Sequence, residues 1–195
     1  MSERARGPTD SPPNPSKTPP QAGAGVRPLL DAMVQSCTVE LFHSLGVAVA
    51  PLPSKVTNPQ QATYFADAGV VSFASPKATG SLSLSWSEGV FTLFTPPVVS
   101  RHGCRDLLRE LTNQLIGRIK NRLLQFQVVF RIGVPTVISG PALERQRQRR
   151  EMEVVYLFRT LRGEIVVILD ATFAQGALSY SGGVQVAKEG DFILF

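Results

Sequence analysis

A chain of 195 residues with 43% hydrophobic composition is long enough for one domain with a substantial core but too short for two large ones. The net charge of +5 is too small an excess for a nucleic-acid-binding arm, and two cysteines without CxxC spacing argue against a disulfide framework or a zinc site. Since the sequence has no apolar run as long as a membrane span and no signal-peptide core, we expect a cytoplasmic protein without membrane insertion.

Residues 1–26 form a Pro-rich segment that is predicted to be a disordered tail. Prolines interrupt Ser, Thr, Gly and Lys, and the few apolar groups cannot offset the entropy cost of ordering. Apolar residues at helical spacing follow and predict a first helix from Pro28 to Leu45. Proline is favourable in a first turn, and Gly46 suits the end of the helix.

The segment "GVVSFASPKATGSLSLSWS" contains two apolar stretches separated by Pro and Gly, which predicts a hairpin. In its second half, serines alternate with Leu82, Leu84 and Trp86, so we expect one face to be buried and the other to contact solvent. The stretch from Val90 to Phe94 is compatible with a strand or a short helix, either of which the Pro-Pro pair at 96–97 would end.

A second long helix is predicted from about Arg105 to Gln125. Its apolar residues recur at steps of three and four and comprise Leu107, Leu108, Leu111, Leu115, Ile119 and Leu123. Glu110, Asn113 and Gly117 form a second stripe on this helix. Because glycine inside a helix costs about 1 kcal/mol relative to alanine, Gly117 indicates that something approaches the backbone closely there.

Alternating apolar residues from Phe126 to Ile132 predict a strand that continues into "PTVISG". After the loop "PALERQRQRRE", strands are predicted at Val154–Leu161 and Ile165–Leu169, joined by a turn at 162–163. The pattern predicts an α+β fold in which two long helices pack on a mostly antiparallel sheet. The domain is expected to span residues 27–175, and residues 176–195 are expected to form a C-terminal extension, for which an added strand pair is the candidate structure.

The stretch "ELTNQLIGRIKNRL" resembles the E-x-x-N signature of the chemotaxis phosphatase family that includes CheC, CheX and FliY, particularly its CheX branch. In this chain Glu110 and Asn113 are followed by Pro135 within "VPTVISG", which is similar to the CheX pattern. The first helix and the hairpin segment "GSLSLSWS" also resemble their family counterparts. The short interval around the Pro-Pro pair departs from the family, in which a further helix usually stands between the hairpin and the signature helix.

The resemblance implies a hydrolase that removes the aspartyl phosphate from a CheY-like response-regulator receiver domain. Asn113 and Glu110 are then the residues assigned to catalysis. Asn113 would orient the attacking water, and Glu110 would pair with a receiver lysine. Glu110, Gln114, Gly117 and Lys120 are the residues assigned to partner binding. The resemblance also implies a homodimer without a cofactor or metal of its own, because the receiver would supply Mg²⁺.

Less specific interpretations stand beside this one. The run from Glu144 to Glu151 lacks aromatic residues for stacking and is interpreted as a solvated loop rather than a nucleic-acid site. His43 and His102 have no partners at metal spacing, while Cys37 and Trp86 fit the core. The alternative function is a non-catalytic CheX-like adaptor that binds a receiver or itself.

Overall fold

The structure, a computed structural model, describes residues 26–53, 67–94, 101–139 and 153–178. Residues 1–25 of the predicted tail, the basic run at 144–151 and the chain beyond residue 178 lie outside the described residues, whereas Val26, the last residue assigned to the tail, is the first residue of a helix. None of the described helices combines the length and the apolar character needed to cross a membrane.

The described residues form two long helices, one short helix and seven strands. The helices are α1 (Val26–Ser44), α2 (Glu88–Phe91) and α3 (Arg101–Leu123), and a 3-10 helix follows at Leu124–Phe126. The strands are β1 (Ala50–Pro51), β2 (Asp67–Ala74), β3 (Ala78–Trp86), β4 (Arg131–Ile132), β5 (Thr136–Ser139), β6 (Glu153–Thr160) and β7 (Gly163–Phe173). Both predicted long helices are confirmed, with bounds shifted by a few residues.

The sheet is antiparallel at every described pairing and has the order β1-β6-β7-β3-β2, with β4 and β5 both on the far edge of β2. The predicted hairpin is β2–β3, in which Val71 lies opposite Leu82. The helices α1 and α3 pack against each other and α3 packs on β2 and β3. The predicted α+β class, with two long helices on a mostly antiparallel sheet, is confirmed.

One main core lies between the helices and the sheet. Val34, Cys37 and Leu41 of α1 are completely buried there, and Trp86 is a core residue, as its place in the alternating strand predicts. The Trp86 and Phe94 rings are 5.7 Å apart. Aromatic contact of this kind stabilises beyond the area that it buries.

The serine-bearing face of β3 differs from the prediction, because it does not contact solvent freely. Ser81 is 6% exposed and Ser85 is 3% exposed. Ser85 lies between Ala68 of β2 and Val166 of β7, and Val166 belongs to a second, small apolar cluster with Val155 and Ile168. Short serine side chains between such cross-strand neighbours are shielded by them, an effect that alternation within one strand does not reveal.

The stretch after α3 also departs from the predicted continuous strand. The 3-10 helix ends at Phe126, and the next residue, Gln127, has a left-handed φ of 55°. Val128 then donates a backbone hydrogen bond to the Leu123 carbonyl at 3.2 Å. Phe126 and Val128 are buried, so their alternation reflects packing rather than strand pairing. The ambiguous stretch near Val90 is the short helix α2.

The last hairpin has a turn at Leu161–Arg162, one residue earlier than predicted, and Gly163 begins β7 with a φ of 140°. A positive φ of this kind favours glycine. Strand β7 is longer than the predicted Ile165–Leu169. After it, Ala177 and Leu178 are buried members of the main core.

Candidate functional site

The candidate site lies on helix α3, whose opposite sides have different roles. Its inner side is buried in the core through Leu108, Leu111, Leu115, Ile116, Ile119 and Leu123. Leu107, predicted to join this group, is only partly buried. At about 100° per residue, six residues centre on the opposite side and form what we term the outer face of α3. They are Asp106, Glu110, Asn113, Gln114, Gly117 and Asn121, of which only Gly117 is partly buried.

The sheet holds α3 at an unusually short distance through Gly69 of β2. A Cβ atom on Gly69 would lie 2.1 Å from Thr112 Oγ1 and 2.9 Å from the Leu108 carbonyl oxygen. Thr112 is completely buried and donates a hydrogen bond to that carbonyl at 2.7 Å. Thr112 precedes Asn113 directly, so this contact sets the height of the outer face above the sheet.

Arginines on the flanks of α3 anchor it to its neighbours. Arg105 donates a hydrogen bond to the Val137 carbonyl of β5 at 3.2 Å. On the other flank, Arg122 donates to the Ser36 hydroxyl and forms an ion pair with Glu40, both on α1. Contacts on both flanks oppose rotation of α3 about its axis. The outer face is therefore presented in one orientation.

Glu110 and Asn113 are both exposed, and their Cα atoms are separated by about 4.5 Å along the helix axis. In the described part of the chain, Glu110 has no cationic partner at ion-pair distance, and the Asn113 carboxamide makes no hydrogen bond. A carboxamide both donates and accepts hydrogen bonds without titrating. The pair therefore offers an uncompensated negative charge beside a group that can orient a water molecule.

The Glu110 carboxylate accepts a hydrogen bond from Gln114 Nε2 at 2.9 Å. This contact was not foreseen, although residues four apart on a helix are neighbours and the spacing of the two residues was its signal. Beside them, Arg109 and Asp106 form an exposed ion pair at 2.7 Å. Exposed pairs contribute at most about 1 kcal/mol, so this one adds little to the stability of α3.

Gly117 and Lys120, which are also assigned to partner binding, differ in their position on α3. A Cβ atom on Gly117 would meet nothing within 4 Å, so no described part of this chain requires glycine there. The close approach inferred for Gly117 would have to come from another molecule. Lys120 is partly buried on the flank of α3 nearer β5, about two turns from Asn113. Pro135 is partly buried between β4 and β5, next to Val134, which is 83% exposed.

Other chemistry has less support among the described residues. No group of His, Cys, Asp and Glu within them is arranged to hold a metal ion. Burial raises the pKa of the Cys37 thiol to about 11, so it stays protonated at neutral pH and is a poor nucleophile. The interpretation of Cys37 as a packing residue agrees with its complete burial.

Gly69 is the second feature that sequence analysis missed. Glycine inside a strand often marks a place where another backbone comes close, and that was the available signal. The identity of the approaching element depends on long-range packing. Thr112 is a polar residue next to the apolar stripe of α3, so the sequence alone does not indicate that it is buried. In the structure its hydroxyl donates a hydrogen bond to the backbone carbonyl of Leu108 in the same helix.

The fold is similar to that of solved chemotaxis proteins. CheX from Vibrio vulnificus is 15% identical, with a TM-score of 0.59 over 72% of this chain and 95% of that one. A CheC-like superfamily protein from Shewanella sp. PV-4 is 16% identical, with a TM-score of 0.61 over 73% and 96%. A chain of the CheX–CheY–BeF₃–Mg²⁺ complex from Borrelia burgdorferi is 16% identical, with a TM-score of 0.53 over 75% and 96%. No family model and no curated protein matches the sequence. The likeness to these solved structures confirms the predicted CheC/CheX-like fold.

Proposed function

We propose that this chain, which has the CheC/CheX-like fold, is a phosphatase acting on the aspartyl phosphate of a CheY-like receiver domain. The observation that carries the proposal is the placement of Glu110 and Asn113 together on the outer face of a helix that is anchored on both flanks. The similar Borrelia structure is of a CheX–CheY–BeF₃–Mg²⁺ complex, which supports a receiver of the CheY type as partner.

The proposed chemistry requires little from the enzyme, because an acyl phosphate is already reactive. The receiver would bring Mg²⁺ to its own active site, so this chain needs no cofactor. Asn113 would accept a hydrogen bond from a water molecule and hold its oxygen in line with phosphorus. Attack of that oxygen forms the new P–O bond as the bond to the aspartate oxygen breaks, which releases inorganic phosphate and a free carboxylate.

Docking is assigned to the groups around Asn113. The uncompensated Glu110 carboxylate would pair with the receiver's active-site lysine and thereby set the register of the two surfaces. The open space around Gly117 would let the receiver backbone approach. Gln114 and Lys120 lie on and beside the same face and complete the partner-binding set.

The second candidate function is a non-catalytic adaptor that binds a receiver through the same face. Exposure of the face favours binding equally under both hypotheses, and only turnover distinguishes them. Self-association as a homodimer stays a prediction. It is consistent with the outer edges of β1 and β5, which pair with no other strand among the described residues.

The decisive experiment measures phosphate release from several acyl-phosphorylated receivers with wild-type protein and with Asn113→Ala. The wild type should accelerate release, and Asn113→Ala should return it to the receiver's own rate while retaining fold and receiver affinity. The adaptor function is supported instead if the wild type binds a phosphorylated receiver without accelerating release.

Variants of Glu110 provide the matched test of docking. Glu110→Ala should weaken receiver affinity as well as turnover, and excess receiver should restore turnover only in part. Glu110→Lys should be worse, since it places an ammonium group opposite the receiver lysine. Circular dichroism controls for folding.

A wild-type rate of phosphate release in Asn113→Ala would place the active site elsewhere.

A further inference from the structure

The hydrogen bond from Gln114 to Glu110 has a direction that bears on Asn113. At about 100° per residue, Gln114 lies about 40° to one side of Glu110 around the helix, and Asn113 lies about 60° to the other side. The Glu110 carboxylate accepts from Gln114 Nε2 at 2.9 Å and makes no described hydrogen bond with Asn113. The carboxylate is therefore drawn away from the Asn113 carboxamide.

Without this contact, Glu110 and Asn113 would be free to bond to each other. They are three residues apart, a spacing at which helical side chains meet, and a carboxylate is a stronger acceptor for the Asn113 amide than water is. Such a bond would engage the Asn113 Nδ2 donor and fix the rotation of the carboxamide, so that Oδ1 could no longer turn to accept a hydrogen bond from the attacking water. It would also shield the carboxylate that the receiver lysine needs.

We propose that Gln114 is a positioning residue that holds the Glu110 carboxylate apart from the Asn113 carboxamide, so that each remains available to the partner. This inference rests on the proposed function for its catalytic consequence, but the arrangement of the three side chains can be tested separately. Fixing the Glu110 side chain before docking also reduces the entropy that binding must otherwise remove.

The test replaces Gln114 with methionine, which has similar length and helix propensity but no amide donor. In Gln114→Met, phosphate release at saturating receiver should fall several-fold, and receiver affinity should fall by a comparable factor. In a Glu110→Ala background there is no carboxylate to hold, so adding Gln114→Met should cause no further loss of phosphate release at saturating receiver, although receiver affinity should still fall by the share that Gln114 contributes as a partner-binding residue. Gln35→Met makes the same chemical change on α1 and serves as the matched control.

A second readout does not depend on activity. The side-chain amide resonances of Asn113, observed by NMR in the free protein, should shift in Gln114→Met and return towards the Glu110→Ala spectrum when both substitutions are present. Unchanged Asn113 resonances in Gln114→Met would overturn the inference, and so would an equal loss of phosphate release at saturating receiver from Gln114→Met in both backgrounds. If the resonances shift as expected but the wild type releases no phosphate, the positioning stands and the phosphatase function fails.

Discussion

Gly117 is the residue at which stability and binding are expected to oppose each other. Alanine at this position should gain about 1 kcal/mol of helix propensity, because the added methyl group meets nothing within 4 Å. We therefore predict that Gly117→Ala raises the melting temperature by a few degrees and weakens receiver affinity severalfold. Thermal unfolding and a binding titration measure the two effects.

Two other outcomes would contradict the assignment of Gly117 to partner binding. If Gly117→Ala stabilises the fold and leaves receiver affinity unchanged, the glycine does not serve close approach of a partner. A loss of stability would show instead that the helix needs glycine for its own packing.

Single residues also show the limit of pattern analysis. The separation of Glu110, Asn113 and Gly117 from the apolar residues of α3 was predictable, because helical periodicity is a local property. The bond between Gln114 and Glu110 follows from the same spacing but requires particular rotamers. The roles of these residues in binding and catalysis stay predictions.

At the scale of elements, the contact between α3 and β2 determines where the outer face stands. We predict that Gly69→Ala destabilises the protein by about 1–3 kcal/mol, because the added methyl group would overlap both a buried hydroxyl and a backbone carbonyl of α3. The helix must then shift, so phosphate release should fall as well. Urea unfolding gives the free energy of unfolding.

A second substitution tests the cause of this loss. Thr112→Ala removes the hydroxyl that a Gly69 methyl group would meet at 2.1 Å but leaves the Leu108 carbonyl at 2.9 Å. Thr112→Ala should therefore recover part of the stability lost in Gly69→Ala. If the two losses simply add, the overlap with Thr112 is not the cause.

At the scale of the whole molecule, stability should depend on alkaline pH through buried acids. Burial raises the pKa of Cys37 from 9.0 to about 11, and burial with the hydrogen bond to Asp31 raises the pKa of Tyr156. A folded-state pKa above the unfolded value means that the unfolded chain loses its proton first. The stabilising contribution is therefore complete below pH 9 and declines as pH rises towards 11.

We predict that the Cys37 thiol alone accounts for a loss of about 2 kcal/mol in the free energy of unfolding between about pH 8 and about pH 10.5. Cys37→Ala should be less stable at the lower pH because of the cavity, but its stability should decline less with pH. Cys104→Ala leaves the buried thiol in place and should keep the wild-type pH dependence. Equal slopes for wild type and Cys37→Ala would contradict the prediction.

The sequence by itself determined the elements whose signals are local. The periodicity of α1 and α3, the β2–β3 hairpin and the α+β class follow from short-range patterns, and the polar stripe of α3 lies outward as its spacing predicts. The motif around Glu110 and Asn113 also indicated the fold, although sequence identity to the solved structures is only 15–16%.

Only the tertiary structure decided features that depend on distant parts of the chain. The strand order places Val166 beside Ser85, and Gly69 allows the backbone of α3 to come close. The turn at Gln127 interrupts the first part of the stretch that alternation predicts as a strand. Each of these results from contacts between segments far apart in sequence. Local propensity carries no information about such contacts, because the energy that decides them comes from packing after the chain has closed its long loops.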